Sequence, residues 1–276
     1  MTSAPRTSRP VDVGRIAWVA LLVLLLSFLI VPIFIIVPIS FGSERFLQFP
    51  PRDLTLYWYG KFFTDPDWQA ATLFSLKVAA ITMLSAVVVG TLAAVAMVRG
   101  FKSGQRAVTA LTLTPIIVPN IVLGVALYLS YAPIGLTGTL TGFVIAHTSL
   151  AVPFVVLTVS AALHRTDPAL ELAAINLGAN KLTAFVLITL PLIAPAMAIA
   201  AVFAFLVSFD EAILSFFLSG VSNKTLPRML FENIDFDISP LIPAVATVLM
   251  SVSLLLMSSS QLLKRRKGKV GNGGSE

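Results

Sequence analysis

The sequence contains no cysteine, which removes disulfides, thiolate metal sites and a cysteine nucleophile together. The redox compartment is left open by that absence. Histidine is almost as scarce. His147 and His164 are the only two and share no helical spacing, which disfavours a zinc site or a histidine-based triad. Charge is sparse as well, at 12% of 276 residues, against roughly 25% in soluble domains. A chain so poor in charge cannot screen its own apolar surface from water. With 57% hydrophobic residues and a mean hydropathy of +0.93, its natural solvent is the bilayer. The formal charge of +6 could suggest nucleic acid, but basic loops beside membrane spans account for it and imply no nucleic-acid partner.

Six apolar segments are long enough to cross about 30 Å of hydrocarbon as helix. They run Ile16–Phe41, Ala70–Val98, Val108–Tyr131, Leu140–Leu163, Pro195–Leu218 and Leu241–Leu263. The expected fold is therefore all-α, a polytopic membrane protein of about six transmembrane helices. The first segment is too long for the apolar region of a cleaved signal peptide and has no small-residue cleavage site before Pro32 and Pro38. The apolar run Leu182–Leu218 would be about 55 Å long as one helix. Pro191 and Pro195 are expected to interrupt it, leaving Leu182–Leu190 as a short cytoplasmic element and starting the fifth span near Pro195. Pro115, Pro119 and Pro153 are expected to kink their helices and free carbonyls that line a path.

Basic residues set the expected orientation. With both termini in the cytoplasm, Arg6, Arg9, Arg15, Arg99, Lys102, Arg106, Arg165, Lys181, Lys264, Arg265, Arg266, Lys267 and Lys269 lie inside, and only Arg45, Arg52, Lys61, Lys224 and Arg228 lie outside. The chain then reads as a cytoplasmic tail (1–15), a transmembrane domain (16–263) and a basic, Gly-rich cytoplasmic tail (264–276), disordered from Gly268. Tyr57, Trp58, Tyr59 and Trp68 read as interfacial anchors. No GxxxxGK[ST] loop is present, so any ATP chemistry must come from a partner.

The loop between the fourth and fifth spans, about 164–191, carries the most information. Thr166 or Asp167 can cap a helix, Pro168 suits its first turn and Glu171 favours its positive end. Leu170, Ala173, Ala174 and Leu177 form a small apolar face, Gly178 or Asn180 ends the helix, and a second helix begins near Lys181. Such a helix–turn–helix is either a connector tucked against its own bundle or a knob that fits a partner's groove.

The segment resembles the EAA loop of ABC-importer permeases. That pattern is Glu-Ala-Ala, a Gly four residues after the second Ala, and Ile-x-Leu-Pro ten residues later. Ala173, Ala174, Gly178, Ile188, Leu190 and Pro191 match it in register, while Leu172 replaces the Glu and Glu171 stands one residue earlier. Phe49-Pro50-Pro51-Arg52, Tyr57-Trp58-Tyr59, Ser75-Leu76 and Ser208-Phe209-Asp210-Glu211 extend the resemblance to the spermidine/putrescine-type group. The resemblance implies a type I importer permease fold in the bacterial inner membrane and a second permease subunit, usually distinct. It also implies two cytoplasmic ATPase subunits that bind ATP and Mg, and a periplasmic or lipid-anchored solute-binding protein. The chain itself would hold no cofactor and no metal and catalyse nothing. Other members of the wider group handle opines, phosphonates, thiamine or ferric iron. An ion-coupled secondary transporter is the rival from another class, and no convincing internal repeat supports it.

Asp210 and Glu211 are the only acids expected within a span. An ionisable residue there costs a few kcal/mol and usually faces a bundle interior or a water-filled path. One reading pairs a carboxylate with Lys77, an arginine or a partner chain. The other has the acids attract a cationic solute, with Ser208 as hydrogen-bond partner. Asn120 stands where spermidine-type permeases often carry an acid after the proline, so the path here would hold fewer acids. His147 is expected to be a hydrogen-bonded packing residue.

Overall fold

A computed structural model describes residues 13–100, 102–220, 223–236 and 239–270. The N-terminal tail up to residue 12 and the last six residues lie outside these. The helices are α1 (Val13–Ile39), α2 (Tyr57–Thr64), α3 (Pro66–Arg99), α4 (Lys102–Ile117), α5 (Asn120–Tyr131), α6 (Leu140–Leu163), α7 (Pro168–Asn176), α8 (Lys181–Ala184), α9 (Leu190–Phe209), α10 (Ile213–Leu218), α11 (Leu226–Phe236) and α12 (Leu241–Val270). Among the described residues, five helical segments are long and apolar enough to span a membrane, and the bent pair α4–α5 makes a sixth if counted as one.

α3, α6 and α9 pack against one another as the heart of the bundle. Small residues let them approach: Ala86, Ala94, Ala151, Ala200 and Ala204 are fully buried there with Val155, Val156 and Ile193. At Gly90 of α3 an added Cβ would lie 2.6 Å from the Cβ of Val155, so only glycine fits this contact. α1 stands apart. Its spanning window is wholly unburied, and among the packed helices it leans on α12.

Several sequence expectations need correction. Pro191 and Pro195 do not interrupt the fifth span, which runs as helix from Lys181 to Phe209. A π turn over Phe185–Thr189 joins α8 to α9, with the Leu190 N–H donating to the Phe185 carbonyl. The wider turn absorbs the clash and missing N–H of Pro191 in the next turn. The break comes at the other end, at Asp210–Ala212, so the two acids sit between helices and not within one. The third span is broken rather than kinked: α4 and α5 meet at 106° where Pro119 takes the extended ψ of 130°. Finally, Trp58 and Trp68 are not interfacial anchors. They are buried with Phe62, Phe209 and Leu241 in a cluster at the end of the bundle opposite Arg99 and Arg165. Trp58 Nε1 donates to the Gly42 carbonyl at 2.9 Å, which satisfies its N–H inside the protein. The helix of α12 also continues through Val270, past the expected onset of disorder at Gly268.

Candidate functional site

Two places gather the residues singled out above: the α7–α8 loop at the basic end that carries Arg99 and Arg165, and the junction of two helix breaks nearer the aromatic end.

In the loop, Asp167 accepts from the Ala169 N–H at 2.9 Å and Pro168 opens α7. Thr166 is not the cap. Gly178 ends the helix at φ +98°, a conformation L side chains rarely adopt. The Gly178 N–H donates to Ile175 and the Ala179 N–H to Ala174, the two bonds of a Schellman cap. Asn180 then caps α8 through the Thr183 N–H at 2.8 Å. Short-range chemistry thus builds the hairpin as expected. α7 has no buried residue, and Leu172, Leu177 and Leu182 stand 59%, 90% and 72% exposed. Ala173 is exposed and Ala174 half-buried. Ile188 lies half-buried in the π turn, Leu190 packs on the α3–α6–α9 core, and Pro191 is exposed.

Glu171 points inward. It forms an ion pair with Arg99, the last residue of α3, and accepts from the Thr189 hydroxyl at the root of α9. Arg99 also donates to Thr189 and Thr166, each at 3.1 Å. In the sequence Arg99 reads only as an orienting charge, and nothing local joins it to Thr166 or Thr189. The available signal was an arginine at the end of an apolar run, on the same predicted side as an acid in the loop.

At the second place, Glu211 lies in the α9–α10 break and Asn120 opens α5 after the α4–α5 break. Asn120 Nδ2 donates to Glu211 Oε2 at 3.3 Å. Glu211 Oε1 accepts from the Ile213 and Leu214 N–H groups at 2.8 and 2.9 Å, capping α10. α5 and α10 pack closely here: a Cβ at Gly124 would meet the Phe217 ring at 2.5 Å. Asp210, next in sequence, is exposed. Two broken helices meeting at polar residues form the kind of site in which helix ends and the side chains between them can face a solute.

Ser208 is not part of this junction. It is buried, and its hydroxyl lies 2.9 Å from Nδ1 of His147, which is seven residues, about 10 Å, into α6. His147 is fully buried beside Phe143, in agreement with a hydrogen-bonded packing role. Lys77 is exposed.

Residues 86–269 match the family described as binding-protein-dependent transport system inner membrane component. The spermidine/putrescine transport system permease protein PotC of Shigella flexneri is 31% identical over 262 residues, covering 95% of this chain and 98% of that protein. The putrescine transport system permease protein PotI of Escherichia coli (strain K12) is 31% identical over 247 residues, covering 86% and 87%. Among solved structures, a bacterial ABC transporter involved in the import of the acidic polysaccharide alginate has a chain of similar fold. The TM-score is 0.73 at 15% identity, over 92% of this chain and 97% of that one.

Proposed function

Because the chain belongs to the family of binding-protein-dependent transport system inner membrane components, we propose that it forms the translocation path for a putrescine- or spermidine-like cation in an ATP-driven importer. The fold is that of a type I importer permease, and the chain is a multi-pass inner-membrane component. An ion-coupled secondary transporter is set aside by that membership.

The observation that carries the cation reading is the carboxylate of Glu211 at the junction of two broken helices, with Asp210 exposed beside it. A path must attract its solute and still release it, so one or two acids suffice. The names of the PotC and PotI relatives support the polyamine class. In this reading the basic end faces the cytoplasm, as the arginine and lysine placement favours. The exposed leucines of the α7–α8 loop then fit a groove on a cytoplasmic ATPase subunit. Two such subunits hold ATP and magnesium, a second and distinct permease subunit completes the path, and a solute-binding protein delivers the cation at the aromatic end.

The test is ligand-dependent ATP hydrolysis and uptake by the complex, reconstituted in lipid with its binding protein, across putrescine, spermidine, an opine, an aminophosphonate, thiamine and ferric iron. Stimulation by putrescine or spermidine is expected. Stimulation only by another ligand would overturn the polyamine assignment, and ATP-independent uptake would overturn the importer reading.

A further inference from the structure

We propose that Arg99 is the joint through which movement of the α7–α8 loop is passed to α3 and α9. The inference rests on the reading of that loop as the ATPase-docking element. None of the residues of α7 is fully buried, and of its apolar side chains only Ala174 and Ile175 are half-buried, so little apolar packing wedges it into the bundle. A helix held by so little packing would yield locally when pushed, and the displacement would stop there.

The polar node supplies the missing attachment. One guanidinium at the end of α3 touches three other elements: Glu171 on α7, Thr166 in the turn after α6, and Thr189 at the root of α9. Both hydroxyls are used twice, since Thr166 also donates to the Leu163 carbonyl at 2.7 Å and Thr189 to Glu171. The side chains of Arg99 and Glu171 are only 21% and 22% exposed, so the pair is shielded from the screening that weakens surface ion pairs. A planar fork of donors can hold several acceptors in fixed directions, which a lysine ammonium cannot.

The node also straddles a flexible point. The chain from α8 into α9 passes through the π turn Phe185–Thr189, a geometry common where helices bend. Thr189 lies at its α9 end and Glu171 on the loop before it. Loop displacement could be absorbed by that turn alone. With Arg99 bonded on both sides, it is carried to α9 and to α3, the helix that packs on both α6 and α9.

The experiment uses the complete complex in proteoliposomes and measures uptake, ATP hydrolysis and ATPase co-purification for the unmutated chain and for Arg99→Ala, Arg99→Lys, Glu171→Gln and the exchange Arg99→Glu with Glu171→Arg. Arg99→Ala and Glu171→Gln are expected to keep co-purification and hydrolysis while uptake per ATP falls about tenfold, a loss typical of one broken polar network. Arg99→Lys should be intermediate, and the exchange should restore part of the ratio. An unchanged ratio in Arg99→Ala and Glu171→Gln would overturn the joint. So would uptake and hydrolysis falling in parallel with lost assembly, without rescue by the exchange, since that describes a merely structural pair. If the unmutated complex itself shows no ATP-driven uptake, the importer reading fails, and that arm is free of any mutation at the node.

Discussion

Replacing Glu211 separates two roles that its carboxylate would perform at once. Oε1 caps α10 through the Ile213 and Leu214 N–H groups, and Oε2 accepts from Asn120. Glu211→Ala removes the cap and strands the Asn120 amide. A lost cap costs about 1 kcal/mol and an unpaired, partly buried donor about 1–2, so a loss of about 2–3 kcal/mol is expected. Glu211→Gln keeps a carbonyl oxygen for the cap, and the Asn120 amide can turn to offer its own oxygen. Its structural cost should stay under about 1 kcal/mol. What it removes is the charge. An ammonium about 4 Å from a carboxylate gains about 4 kcal/mol at an effective dielectric of 20, most of it cancelled by desolvation. A residue of about 1.4 kcal/mol would raise KM for the cation about tenfold. The assay is putrescine uptake by reconstituted complexes beside thermal melting of the purified permease complex in detergent. Glu211→Gln should melt close to the unmutated protein and transport poorly, and Glu211→Ala should lose both. If Glu211→Gln transports normally while Glu211→Ala loses stability and transport together, the carboxylate is a helix cap and the cation path through it is refuted.

Asp210 is exposed at the same break, so Asp210→Asn should shift stability by no more than about 0.5 kcal/mol while weakening uptake, as the same pair of assays will read. Gly178→Val should cost about 1–3 kcal/mol locally, because its φ of +98° admits a β-branched residue only under strain. A Cβ there meets nothing within 4 Å, so Gly178→Asn should be milder. Co-purified ATPase, measured against membrane-inserted permease, tests both. Gly90→Ala should lower the melting temperature through about 1–3 kcal/mol of overpacking against Val155, and an unchanged melting curve would mean α3 and α6 part freely.

Much of the fold was legible because hydropathy is local. The fourth span, Leu140–Leu163, and the start of the last at Leu241 fall where the apolar runs place them. The loop was legible for the same reason: Asp167, Gly178 and Asn180 act within four residues of themselves. The prolines misled, because their effect depends on whether a neighbouring turn can widen. Before Pro191 it does, so the helix continues, whereas at Pro119 the extended ψ breaks it. Trp58 and Trp68 misled because a tryptophan suits a membrane interface and a buried cluster equally well in sequence. Only the packing of α2, α3 and α12 decides between them.

By itself the sequence determined the solvent, the number of apolar spans and the hairpin between α6 and α9, since each follows from residue type and short-range spacing. Tertiary structure alone decided which polar groups meet. Arg99 reaches Glu171 across 72 positions and Asn120 reaches Glu211 across 91. Those encounters depend on where α3, α5, α6, α9 and α10 settle, and small residues such as Gly90 and Gly124 set how closely they approach. In a low-dielectric interior each buried polar group needs a partner, but composition does not say which one.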